Sequence, residues 1–95
     1  MTYALRFHRN AEKEWNRLHP TIQEQLADKL AERLSFPRVP SAALRGMKDC
    51  YKIKLRDAGI RLVYLVEDRI IMVTVVAVGK RDDETVYRLA ADRLK

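Results

Sequence analysis

Apolar and polar positions change period several times along this chain, and each change marks an element. Tyr3, Leu5 and Phe7 alternate with Ala4, Arg6 and His8, a period of two that predicts a strand over Tyr3 to His8. Asn10 is then placed as the N-cap of a short helix to about Leu18, with Glu12 and Glu14 near its positive end and Trp15 in the core. His19-Pro20-Thr21 interrupts it. Either Pro20 opens the next helix, or Thr21 caps it through the box Thr21-x-x-Glu24, and the pattern leaves both open. Ile22, Leu26, Leu30 and Leu34 recur every four residues, giving that helix one apolar stripe until Pro37 and Pro40 start a loop.

The second half alternates again. Tyr51, Ile53 and Leu55 fall on one side of a strand over Cys50 to Leu55, and Lys52 and Lys54 on the other. Asp57-Ala58-Gly59 predicts a turn, Arg61 to Glu67 the returning strand, and Asp68-Arg69 a second turn into Ile70 to Val78. That last run is apolar on both faces and therefore central, with Gly79 closing it. Asp82 or Asp83 is placed to cap a final helix with Val86, Leu89, Ala90 and Leu94 inward. The order is β-α-α-β-β-β-α. It implies an α+β class: a small, mostly antiparallel four-stranded sheet with helices packed on one face.

Ninety-five residues allow a single domain, 1–95, and 47% hydrophobic content is enough to fold it. Nineteen Lys and Arg against thirteen Asp and Glu leave a charge of +6, which calls for an acidic partner. The longest apolar stretch is far short of the about 20 residues of a membrane span, and no signal peptide is expected. One cysteine, Cys50, excludes an internal disulfide framework and fits a reducing cytoplasm. It is expected to be a buried, inert strand residue. His8 and His19 lack a matching carboxylate and are read as surface or capping residues. Metal-ligand spacing and phosphate-cradling glycine loops are missing, so no cofactor or metal is expected.

The candidate chemistry lies in the basic residues. Lys52, Lys54 and Arg56 share one side of a strand, and like charges stacked in this way destabilise a sheet. The bland reading is a solvated outer face that discourages edge aggregation. Whether Arg61 joins them depends on the turn. A three-residue loop pairing Arg56 with Ile60 points Arg61 away, whereas a four-residue loop or a bulge brings it round. We expect the latter, because it puts Tyr51, Ile53 and Leu55 on the same side as Leu62, Tyr64 and Val66. The outcome is a cationic face suited to a phosphodiester backbone. Tyr87, outside the inward set of the last helix, is expected to be partly exposed near Arg81.

Leu44-Arg45-Gly46-Met47, Asp49 to Arg56, Arg61-Leu62-Val63-Tyr64, Val78-Gly79-Lys80-Arg81 and Tyr87, with Ala11-Glu12-Lys13-Glu14-Trp15 in the first helix, together resemble the RelE family of bacterial toxins. The resemblance covers nearly the whole chain. It implies a ribosome-dependent endoribonuclease, cutting mRNA in the ribosomal A site and neutralised by a RelB-type antitoxin. The complex of the two would repress their own operon, so that operator DNA is met only through the antitoxin. Lys52, Lys54, Arg61, Arg81 and Tyr87 match the family's catalytic positions, and Arg45 a position of RNA contact; Lys48, Arg56 and Lys80 extend the RNA-binding set. The rival of the same fold is a ParE-like gyrase-inhibiting toxin, which as a rule lacks that catalytic set. A second rival is a non-catalytic nucleic-acid-binding module.

Overall fold

The computed structural model describes residues 2–80 and 85–95. Its elements are β1 (Ala4–Phe7), α1 (Arg9–Asn16), α2 (Pro20–Ser35), β2 (Cys50–Leu55), β3 (Ile60–Glu67), β4 (Met72–Lys80) and α3 (Thr85–Arg93), in the order expected from the pattern. The sheet order is β1-β4-β3-β2. β1 runs parallel to β4, while the two hairpins β2–β3 and β3–β4 are antiparallel. The α+β class and the mostly antiparallel sheet follow from the alternation; the layering of the helices differs.

Two cores flank the sheet. On one face, Ile53, Leu62, Tyr64, Val73 and Val75 pack against Ala11 of α1 and against Leu26 and Leu30 of α2, the buried middle of the four-residue stripe. On the opposite face, Cys50, Val63, Val76 and Ala77 pack against Val86 and Ala90 of α3. The helices therefore cover both faces rather than one. The reason lies in β4, which is apolar on both sides and needs cover on both. Its Gly79 lets α3 approach so closely that a Cβ there would lie 2.7 Å from Val86 Cγ2.

Several local details also depart from the pattern. His8, not Asn10, caps α1: its Nδ1 accepts from the Asn10 N–H at 3.1 Å. His19 does the same for α2, accepting from the Thr21 N–H at 3.1 Å, with Pro20 as the first helical residue. An imidazole acceptor one residue before the helix takes the place of the usual short oxygen side chain. Ile70 falls in a one-turn 3-10 helix (Asp68–Ile70) and Ile71 is left-handed at φ 51°, so β4 begins only at Met72. Gly79 sits within β4 rather than ending it. Leu94, beyond the last turn of α3, is 38% exposed instead of inward. The Asp82 and Asp83 caps lie outside the described residues.

A bulge sets the parity of β4. Val63 faces Ala77 and Tyr64 faces Val75, leaving Val76 unopposed. Val76 and Ala77 consequently both turn to the α3 side, whereas Val78 returns to the α1–α2 side. Beneath β2, the buried Tyr64 hydroxyl donates to Pro37 O at 2.6 Å and accepts from Arg33 Nη1 at 2.9 Å. The same Arg33 nitrogen reaches Lys52 O at 3.1 Å, anchoring the strand that carries the lysines.

Gly79→Ala should destabilise the fold by about 1–3 kcal/mol in chemical denaturation, because the stiff Val86 side chain has to move. Adding Val86→Ala should return part of that loss, and strictly additive effects of the two changes would contradict the close approach.

Candidate active site

The β2–β3 connection is the four-residue loop 56–59. Leu55 pairs with Ile60 and Lys54 with Arg61, while Gly59 takes the positive φ of 66° that closes the turn. Lys52 stands two residues before Lys54, opposite Val63. Since Val63 belongs to the core under α3, Lys52, Lys54 and Arg61 all stand on the α3 face. Tyr51, Ile53 and Leu55 go to the other face with Leu62, Tyr64 and Val66, as the alternation requires. Lys54 and Arg61, with Leu55, Arg56 and Ile60, line a cavity of about 200 Å³ at the end of the sheet.

Tyr87, in the first turn of α3, completes the cluster. Its half-buried ring lies with its centroid 5.5 Å from the Arg61 guanidinium carbon, within cation–π range. The arrangement gives the ring a packed position while leaving Arg61 partly open to solvent. Arg61 thus joins the two halves of the site, the hairpin and the last helix.

Crowding changes the chemistry of Lys54. The ammonium of Lys52 is the main cause, followed by partial loss of hydration and the charges of Arg61 and Arg56; together they hold Lys54 below the ordinary lysine range. A primary amine so placed has a larger neutral fraction at a given pH than a free lysine. The only cysteine behaves in the opposite sense. Burial, with a smaller contribution from Asp49, pushes the Cys50 thiol up to about 11, which makes it inert at neutral pH.

The remaining expected residues are placed less uniformly. Arg56 is in the loop rather than on the strand, at the rim of the same cavity. Arg45 is exposed in the loop before β2. Lys48 is not brought to the cluster: it lines a separate cavity with Gly46, Met47, Leu65, Ala91 and Leu94, toward the other end of α3. Lys80 pairs with Ile60, whose side chain belongs to the α1–α2 core, so it leaves the strand on the face away from Lys54. The bulge at Val76, unreadable in a uniformly apolar run, decides that parity. Arg81 lies outside the described residues. Among the described residues, no group of three or more His, Cys, Asp or Glu is placed to hold a metal ion.

Glu14 and Arg93 were not among the expected functional residues. They meet at 2.8 and 2.9 Å between α1 and α3. A signal existed for both. Arg93 falls on the inward stripe of its helix, seven residues after Val86, and Glu14 lies three after the buried Ala11.

Comparison with known proteins decides the lineage. Residues 5–85 match the family model described as the ParE toxin of the type II toxin–antitoxin system parDE. The chain is 52% identical to a RelE-like toxin protein of Escherichia coli over the full length of both. It is 51% identical to the mRNA interferase toxin RelE of Escherichia coli K12, covering 99% of each chain. The chain belongs to the RelE family of toxins. Its fold superposes on an arginine-to-alanine double variant of Escherichia coli RelE in the free state with a TM-score of 0.93, at 49% identity and full coverage of both chains. The match to the intact Escherichia coli RelBE toxin–antitoxin complex has a TM-score of 0.81 at 54% identity, over 82% of this chain and 95% of that one. Membership of the RelE family agrees with the resemblance carried by the residues from Leu44 to Tyr87.

Because the cations repel one another, Lys52→Met should raise the melting temperature at low ionic strength, with the gain shrinking as salt is added. A variant melting below the parent at all salt concentrations would mean that the lysines are not in electrostatic conflict.

Proposed function

We propose that this chain is an mRNA interferase, an endoribonuclease that cuts mRNA in the A site of the 70S ribosome. The observation that carries the reading is the cross-strand placement of Lys54 opposite Arg61, with Lys52 and Tyr87 on the same face. The names of its half-identical relatives, mRNA interferase toxin RelE among them, support the substrate class.

Cleavage by the 2′-hydroxyl requires a base, stabilisation of charge on the pentavalent phosphorus, and a proton for the departing 5′-oxygen. Lys54 in its neutral form takes the proton of the 2′-hydroxyl as the O2′–P bond forms, with Lys52 keeping its amine available. Arg61 grips the non-bridging oxygens through its planar fork. Arg81 stabilises the leaving 5′-oxygen as the P–O5′ bond breaks and delivers its proton, directly or through water, while Tyr87 orients the nucleotide beside Arg61. Arg45 and Arg56 contact flanking RNA, with Lys48 and Lys80 as more distant contributors. Among the described residues, the cavity is lined by cations and apolar side chains with no carboxylate–imidazole pair, and in this reading alignment of the scissile linkage falls to the ribosome.

Control follows the same chemistry. A RelB-type antitoxin neutralises the toxin, and the complex represses its own operon through antitoxin contacts with operator DNA; the relatives solved as RelBE complexes support this partner. The setting is the cytoplasm, where translating ribosomes are found. Among the described residues, no helix is long and apolar enough to cross a membrane.

Primer extension on ribosome-bound mRNA tests the reading. The wild-type protein should cut programmed ribosomal mRNA and leave naked RNA almost untouched, whereas Lys54→Ala and Arg61→Ala should lose at least about 100-fold in rate while keeping the fold. Cleavage should rise with pH over the range in which Lys54 loses its proton, since the neutral amine is the reactive form, and Lys54→Arg should abolish that rise. Gyrase-dependent DNA damage with translation intact would support the ParE-like alternative, and salt-sensitive binding without cut ends a passive binder.

A further inference from the structure

The parallel pairing of β1 with β4 stops at Phe7 and Val75, and beyond it no strand among the described residues pairs with that edge of β4. Two charged side chains from opposite faces of the sheet close that edge. Glu14 of α1 accepts from the Val78 N–H at 3.1 Å through Oε1. Arg93 of α3 donates to Val76 O at 2.8 Å, the carbonyl of the bulge residue. The two side chains then bind each other in fork geometry, Nη1 to Oε1 at 2.8 Å and Nη2 to Oε2 at 2.9 Å. Their side chains are only 21% and 11% exposed.

We propose that Glu14 and Arg93 are positioning residues, their ion pair fastening α3 to this edge of β4 and thereby setting Tyr87 against Arg61. The inference rests on the assignment of Tyr87 to the cleavage site. At its N-terminal end α3 is seated by the contact of Val86 with Gly79. The rest of its seat, Ala90 with Leu89 beside it, is apolar packing, which is non-directional and resists a small roll of the helix about its axis only weakly. A side-chain tip lies about 6 Å from a helix axis, so a roll of about 10° carries the Tyr87 ring roughly 1 Å. A displacement of that size is enough to lower a positioned reaction by about 100-fold. A second attachment near the C-terminus removes the roll. An ion pair at this depth adds little net stability compared with apolar packing but admits few geometries, which is what a positioning contact needs.

The test is single-turnover cleavage on programmed ribosomes, with Glu14→Gln, Arg93→Met and Tyr87→Ala measured alone and combined. Glu14→Gln keeps an acceptor for Val78 and removes the charge. Each clamp variant should lower the saturated rate roughly 10- to 100-fold with little change in the half-saturating toxin concentration. In the Tyr87→Ala background the same changes should cost less than about threefold, because the ring they position is gone. Arg93→Lys should recover part of the rate. Hydrogen exchange should quicken in α3 and stay unchanged in α2, which separates loss of the clamp from loss of the fold. Clamp variants that cleave like wild type while Tyr87→Ala is inactive would overturn the clamp alone. Losses that multiply with Tyr87→Ala would show that the pair does not act through the ring. A fully active Tyr87→Ala would remove Tyr87 from the cleavage site, and the clamp assignment with it.

Discussion

Two cations face each other across neighbouring strands, Lys54 opposite Arg61, and a third, Lys52, stands one pleat away on the same face. Like charges directly opposed weaken a sheet, so this arrangement has to be imposed by something stronger. The opposite face imposes it. Tyr51, Ile53 and Leu55 are buried with Leu62 and Tyr64 against α1 and α2, and a one-residue slip would send all of them to the other side. The apolar core thus sets the register, and the register sets the cations. A stacked pair, Tyr51 on Tyr64 with centroids 5.7 Å apart, fixes the middle of the hairpin. Arg33 ties both the Tyr64 hydroxyl and the Lys52 carbonyl to α2.

The consequence for chemistry is that conflict and reactivity have the same origin. The fields that hold Lys54 below the ordinary lysine range are the fields that strain the sheet. Tyr87 adds a flat, partly open surface beside Arg61 without adding another charge.

Much of this was legible in the chain because period-two alternation is strict from Cys50 to Leu55 and resumes after Gly59. The burial pattern alone favoured the four-residue loop, and the loop brought Arg61 round. β4 was different. A strand apolar on both faces has no alternation from which to read a bulge, so the turn of Lys80 toward the α1–α2 side was hidden. The need for a second core was legible in that same uniformity, since a strand apolar on both faces has to be covered on both, but nothing in the run says which helix covers which face. The His8 and His19 caps escaped notice as specific caps because imidazole is an uncommon substitute for the short oxygen side chains. Glu14 and Arg93 stood on inward helical stripes with opposite signs, a pattern readable only once the two helices are known to meet.

The central claim is that the Lys54 ammonium is destabilised by Lys52 on the shared face. Nuclear magnetic resonance titration of the lysine side chains, in the wild type and in Lys52→Met, measures this directly. The account predicts that Lys54 titrates below the roughly 10.4 of an unperturbed lysine and moves upward when Lys52 is replaced. A Lys54 titrating at or above that value, and indifferent to the substitution, would contradict it.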